Sequence, residues 1–334
     1  MFKYSSSMLF MLMLVLSSIL TMSSSNWLST WMGLEMNLIA FIPILSKAKS
    51  NPSSESMMMY FLIQSMGSTL ILFSILINST SIMSHNITDM FTVYLIMLSM
   101  LMKLGAPPFH SWFVNMNNKL NWVNSLLLMT WQKLAPLTIM SFIMSSINLN
   151  SMFILMAVMI GAIGGINQTS IRKIMAYSSI NHMGWMMAAM KMNNNMWMLY
   201  LIMYSIILLM AVNMFMQNSI FYINQLIINS NKYPEKLMYI INFMSMGGLP
   251  PFMGFLPKWM VIQLLIELNL YLLSTIMVLF SLLTLFYYLR MMSSIMLINF
   301  SCNKMYLKYP NTNPNYLMMI IINLTLPMTY MFHL

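Results

Sequence analysis

With 334 residues, 60% hydrophobic and 6% charged, the chain falls far short of the roughly 25% charged residues of a soluble surface. Its formal charge of +10 is scattered over many short connections, a pattern that membrane topology explains better than a nucleic-acid patch does. A single cysteine, Cys302, excludes an internal disulfide and any Cys-based zinc or iron–sulfur ligand set.

Helix-length apolar runs follow one another along the chain; a barrel would instead alternate in segments of about ten residues. They predict an all-α integral membrane protein of about eleven transmembrane helices. The first five spans lie near 5–22, 27–45, 57–77, 90–118 (broken at 105–108) and 122–146. The next three lie near 151–168, 174–190 and 195–218. The last three lie near 238–266 (broken at 247–257), 270–292 and 316–332. Trp27, Trp122 and Trp197 fall near span starts, where amphipathic rings favour the interface. Lys3 followed by an apolar run and Ser23-Ser24-Ser25 has the layout of a signal peptide, but a first span accounts for it as well.

Alternating the connections between two sides tests this count. Lys3, Lys47, Lys49, Lys119, Arg172, Lys173, Lys232, Lys236, Arg290, Lys304 and Lys308 fall on the N-terminal side, and only Lys191 falls opposite. The positive-inside rule therefore places the N-terminus inside and, with eleven spans, the C-terminus outside.

Three amines, Lys103, Lys133 and Lys258, and one carboxylate, Glu35, remain within spans. Each central lysine costs ~2.5–3.5 kcal/mol to insert, and Glu35 offsets at most one. Two amines ~9 Å apart at an effective dielectric of ~20 repel by roughly 1.8 kcal/mol, so a proton arriving at one tends to expel a proton from the next. A row of such groups is a proton relay.

Two of the spans are interrupted. Gly105-Ala106-Pro107-Pro108-Phe109 is echoed 143 residues later by Gly248-Leu249-Pro250-Pro251-Phe252. Matching interruptions in two halves point to a transport site. The broken spans are the fourth and ninth, and an odd repeat length turns the second copy over. The chain is thus expected to be one polytopic domain, 1–334, of inverted five-helix repeats at about 5–146 and 151–292, with a last helix at about 316–332. Lys103 ends a half-helix, at its carbonyl end, whereas Lys258 follows Pro257 near a helix start.

Two histidines extend the candidate set. His110 follows the first break and either joins the relay or bonds freed carbonyls. His182 lies in the polar run Tyr177-Ser178-Ser179-Ile180-Asn181-His182-Met183-Gly184, which either holds water or glues helices together. Phosphate-binding loops, nucleophile triads, metal clusters and redox centres have no signature in the chain.

Trp31-Met32-Gly33-Leu34-Glu35-Met36-Asn37, Lys103-Leu104-Gly105-Ala106-Pro107-Pro108-Phe109-His110 and Trp131-Gln132-Lys133-Leu134-Ala135-Pro136 occur in that order. Arg172-Lys173 through His182-Met183-Gly184 and Gly247-Gly248 through Pro257-Lys258-Trp259 follow. Together these motifs resemble the antiporter-like, proton-pumping subunits of respiratory complex I, over nearly the whole chain. The resemblance implies a hydrated axis of charged residues, with Glu35 and Lys103 as an ion pair coupled to a neighbouring subunit. It implies Lys133 as a relay and Lys258 near the exit path. It implies no cofactor in this chain, with NADH, FMN, iron–sulfur clusters and ubiquinone handled by other subunits. The partners are then the other membrane-arm subunits and the lipid bilayer, with no nucleic acid. The site is then the mitochondrial inner membrane, N-terminus on the matrix side and C-terminus on the intermembrane-space side. The 49 methionines fit a mitochondrial code that reads an extra codon as Met. The wider family has fourteen spans, and three at the start have no counterpart here. The rival functions are a stand-alone cation/proton antiporter, opposed by the lack in this sequence of a second intramembrane carboxylate to coordinate its cation, and a purely structural scaffold.

Overall fold

The computed structural model describes residues 2–46, 51–80, 85–144, 150–192, 195–229, 233–297 and 323. Regular structure among these is helical, apart from an isolated antiparallel bridge between Ser170 and Tyr222. The chain divides into two compact units, Met1–Asn148 and Leu149–Leu334.

Unit 1 holds α1 (Phe2–Ser23), α2 (Trp27–Ser46), α3 (Asn51–Thr80), α4 (His85–Leu104), α5 (Ser111–Lys119), α6 (Trp122–Met129) and α7 (Trp131–Ile143). Here α1 packs on α2, α2 on α3 and α3 on α4, while α7 meets both α4 and α1. Unit 2 holds α8 (Asn150–Ile166), α9 (Ile171–Ala189), α10 (Met196–Gln217), α11 (Ile223–Asn229), α12 (Tyr233–Gly247), α13 (Phe255–Glu267) and α14 (Tyr271–Leu297). There α8 packs on α9, α9 on α10 and α10 on α12, while α14 meets both α12 and α8. Set α11 aside and the order of neighbours within each unit is the same.

Five helical stretches are long and apolar enough to cross a bilayer: Trp27–Ser46, Pro52–Ser79, Trp122–Ile143, Met196–Gln217 and Tyr271–Ser293. Shorter apolar stretches are Ser7–Ser23, Met90–Leu104 and Ser151–Ile166. Helix α9 is different, because polar residues punctuate it and yet nearly every side chain from Ile171 to Ala189 is buried. It is the interior helix of unit 2, packed against α8, α10 and α13.

The two interruptions have one local structure. At the first, Ala106 N–H bonds the Leu101 carbonyl and Gly105 N–H the Met102 carbonyl; at the second, Leu249 N–H bonds Met244 and Gly248 N–H bonds Ser245. These pairs form the Schellman cap, which needs a left-handed residue just past the helix end. Gly105 (φ 67°) and Gly248 (φ 77°) supply it, since a Cβ would be strained there. A further turn follows each, with Phe109 N–H on the Ala106 carbonyl and Phe252 N–H on that of Leu249.

Some elements depart from the sequence expectation. The predicted span 122–146 is divided at Thr130, whose backbone (φ −114°, ψ −73°) leaves the regular helix. Pro136, inside α7, has no N–H for the Gln132 carbonyl one turn earlier. The short helix α11 was not anticipated. Gln225 opens it by accepting the backbone N–H groups of Phe221 and Tyr222 at 2.6 and 3.2 Å. The predicted last helix, 316–332, lies outside the described residues except for Asn323. Lys47, Lys49, Lys232, Cys302, Lys304 and Lys308 also lie outside them.

Candidate functional site

In unit 1, Lys103 ends α4 at the first interruption. Its residue exposure is 6%, so protein encloses the side chain along its length. Its stem lies along α3, where a Cβ on Gly67 would come within 3.0 Å of the Lys103 Cγ. The Lys103 carbonyl, one of the last four of its helix and so without a helical donor, accepts Gln64 Nε2 at 3.0 Å. Tyr60, Gln64 and Gly67 recur at helical spacing, so one face of α3 serves Lys103.

Beside this lysine is a small cavity lined by Asn37, Tyr60, Gln64, Lys103, Gln132 and Pro136, among others, with room for about one water. Tyr60 Oη donates to Gln132 Oε1 at 3.1 Å across it. Glu35, half-buried on α2, acts electrostatically on Lys103, yet no bridge within 4 Å joins the two. Lys133 is 2% exposed, and its Nζ sits 5.3 Å from the centre of the Phe113 ring. Phe113 in turn abuts the interruption, because a Cβ on Gly105 would lie 2.6 Å from the Phe113 Cβ. His110 caps the start of α5 without a side-chain capping bond and is half-buried.

In unit 2, Lys258 is 5% exposed and its Nζ donates to the Gly247 carbonyl at 2.9 Å. Its position near the start of α13 suggested a helix N-terminus as its environment. The amine reaches back instead to the carbonyl end of α12. A Cβ on Gly248 would come within 2.8 Å of that nitrogen, so glycine there makes room for the amine as well as for the turn. The Trp185 ring lies 6.0 Å from the same Nζ. His182 is 9% exposed; its Nδ1 pairs with Tyr200 Oη at 2.8 Å, and its ring lies 4.7 Å from that of Tyr204. A second small cavity runs from His182, Tyr200 and Tyr204 to Met246, Gly254 and Pro257, next to Lys258.

The sequence-predicted residues thus fall into two groups, Glu35, Lys103 and Lys133 with His110 in unit 1, and His182 with Lys258 in unit 2. Sequence reasoning missed their polar and aromatic neighbours, Tyr60, Gln64, Phe113, Trp185 and Tyr200. Only the helical spacing of Tyr60 and Gln64 signalled any of them. Among the described residues no group of three or more His, Cys, Asp or Glu is placed to hold a metal ion.

A family profile described as NADH:quinone oxidoreductase/Mrp antiporter, TM matches residues 24–284. NADH-ubiquinone oxidoreductase chain 2 of Anopheles gambiae is 44% identical over 310 residues, covering 92% of this chain and 90% of its own. The chain belongs to the NADH-ubiquinone oxidoreductase chain 2 family. The chain 2 protein of the mammal Suncus etruscus is 41% identical over 343 residues, covering 97% of this chain and 98% of its own. The fold is shared with a chain of respiratory complex I from Thermus thermophilus, at TM-score 0.83 and 17% identity. That match covers 96% of this chain and 78% of the other. It is shared too with a chain of the Mrp complex from Dietzia sp. DQ12-45-1b, at TM-score 0.76 and 16% identity, over 86% of this chain and 60% of the other. In this member of the family, the buried amines beside two capped helix interruptions are the features that need a chemical account.

Proposed function

We propose that the chain translocates protons as a membrane-arm subunit of NADH:ubiquinone oxidoreductase, driven by electron transfer from NADH to ubiquinone in other subunits. The observation that carries this is the burial of three amines, Lys103 beside a polar cavity, Lys133 against an aromatic ring and Lys258 on a backbone carbonyl. An ammonium kept from the surface is tolerated in a bilayer interior only where water or polar groups receive it. In unit 1 the Lys103 cavity supplies Asn37, Gln64 and Gln132. Glu35 biases the charge on Lys103, Lys103 and Lys133 exchange protons by mutual repulsion, and Lys258 with His182 does the same work in unit 2. His110 is a candidate extension of the first group.

The same reading takes the two units as inverted five-helix repeats within one polytopic domain of about eleven spans, the last at about 316–332. The matched order of helix neighbours and the matched Schellman caps support the repeat. The Glu55–Lys119 ion pair supports the alternation of sides, because both residues belong to N-terminal-side connections. The chain is placed in the mitochondrial inner membrane, N-terminus to the matrix and C-terminus to the intermembrane space. It holds no cofactor of its own in this scheme; FMN and the iron–sulfur clusters belong to other subunits. Replacing Lys133 by Met in the assembled complex is the test. The rate of NADH-driven proton uptake is expected to fall at least about tenfold, the low side of the ~10²–10⁴-fold that a positioned proton-transfer group contributes. Unchanged uptake would leave only a scaffold.

A further inference from the structure

Three basic residues are gathered at one corner of unit 2, away from the buried lysine. Arg290, toward the end of α14, donates to the carbonyls of Ile166 and, at 2.7 Å, Gln168, which closes the carbonyl end of α8. Two residues beyond Gln168 stands Ser170, the N-cap of α9, and Arg172 and Lys173 occupy the first turn of that helix. The Arg172 guanidinium lies 4.6 Å from the centre of the Phe221 ring. Phe221 is itself tied to the corner. Its carbonyl accepts Ile171 N–H at 3.0 Å, and Ile223 N–H reaches the Thr169 carbonyl at 3.2 Å.

The charge at this helix start runs against stability. The positive end of a helix dipole favours acidic residues and disfavours cations, yet the first turn of α9 holds two basic residues and no acidic one. Helices α8, α9, α11 and α14 carry no carboxylate anywhere along their lengths. An N-cap serine ordinarily accepts an N–H of the first turn. Ser170 makes no such bond, and its hydroxyl, on a residue 8% exposed, has no partner among the described residues. Arg290 Nε is likewise buried without one. Donors therefore outnumber acceptors here, because the carbonyls of Ile166, Gln168 and Thr169 are already taken. The chemistry that answers such a set is an anionic oxygen acceptor, and a phosphate at a helix start offers several such oxygens.

We propose that this corner binds the phosphate of an anionic phospholipid, with Arg172 and Lys173 supplying the charge and Ser170 a hydroxyl donor. The adjoining surface identifies the source of the phosphate. Ile163, three residues before Ile166, is exposed, as are Phe286 and Leu289 just before Arg290. Exposed apolar side chains thus lie within about a turn of the corner on both α8 and α14, two helices that pack together. They continue at helical spacing through Met159 on α8 and Leu282 on α14. A phospholipid with its headgroup at the corner lays its acyl chains along these stripes, from which a free phosphate gains nothing. Basic pockets between membrane helices are receptors for anionic headgroups. Tyr222, exposed next to Phe221, stands where an amphipathic ring favours the membrane–water interface.

Binding is read without turnover, so the outcome does not depend on the proton-translocating reading. The assembled complex is placed in phosphatidylcholine vesicles holding a minor fraction of phosphatidylglycerol with a photoreactive acyl chain. After illumination the labelled peptides are identified by mass spectrometry. Label is expected on the α8 and α14 peptides that carry Ile163 and Phe286. It should fall about fivefold for Arg172→Gln or Lys173→Gln alone and about 25-fold for both. Ser170→Ala removes a single atom and should lower it too, so a readout survives if the double variant fails to assemble. Excess inorganic phosphate, against chloride at matched ionic strength, should leave the label in place. Its displacement would mean a site for free phosphate and overturn the lipid assignment. Equal labelling by photoreactive phosphatidylcholine, or label indifferent to all three substitutions, would mean ordinary boundary lipid and overturn the site. An absence of label on both helices would mean that a partner subunit covers the corner, which overturns it as well.

Discussion

At the residue scale, the amines are held by different devices. Lys258 caps a carbonyl, whereas Lys133 faces an aromatic ring. A desolvated cation–π contact contributes about 1–2 kcal/mol, and Phe113 is also the residue pressed against Gly105. Phe113→Leu keeps the Cβ contact with Gly105 and deletes the ring. Proton uptake in the assembled complex is expected to fall about 5- to 30-fold, the range those energies correspond to. Phe113→Tyr should retain most of it, since the ring face is preserved. Equal losses in both variants would show that the ring does no more than fill space.

Helices meet most closely where glycine lets them. In unit 2 a Cβ on Gly161 would come 2.6 Å from the Asn181 backbone nitrogen, and one on Gly184 would come 2.5 Å from Val158 Cγ2. Asn181 Nδ2 donates to the Val158 carbonyl at 3.2 Å, tying α8 to α9 at the same level. Gly161→Ala forces backbone away from backbone, so the helices must part. The expected cost is about 1–3 kcal/mol, read as a lower midpoint for thermal loss of the assembled complex. Gly184→Ala should cost less, because a valine methyl can turn aside. At this scale much of the fold was legible. Long apolar runs set the helices, and the G-x-P-P-F echo marked both interruptions, because glycine and proline act locally. The division at Thr130 escaped because no glycine or proline stands at it, the nearest breaker being Pro136, six residues on and inside α7. Helix α11 escaped because Gln225 caps it from within an unremarkable polar stretch. The polar partners of the lysines escaped for a different reason, since Gln64 and Tyr60 meet Lys103 and Gln132 only after α3, α4 and α7 assemble.

For the whole molecule, the outer surface follows the same logic as the interior. On α14, Leu272, Leu279, Leu282 and Phe286 are exposed while Met277, Thr284, Tyr287, Tyr288 and Met291 are buried, a division at helical spacing. Apolar surface of that extent marks contact with lipid or with partner subunits. The proposed topology puts the connection after the tenth span on the matrix side. A membrane-impermeant maleimide should accordingly label Cys302, which lies outside the described residues, in inside-out inner-membrane vesicles and not in right-side-out ones. Labelling from the opposite face would reverse the topology. The exposed Glu55–Lys119 pair contributes little to stability, as surface ion pairs are worth about 0–1 kcal/mol.

The glycine caps carry one more implication. The Schellman pair of each interruption closes within six residues of chain, and the Lys103 and Gly247 carbonyls are met by Gln64 and Lys258 of the same unit, so neither break needs bound cargo, solvent or a neighbouring chain to hold it open. Amide exchange at Ala106 and Leu249 should therefore stay slow in the resting enzyme and during turnover alike. A kink of that sort is a permanent joint, and whatever moves in a working cycle must be side chains pivoting around it.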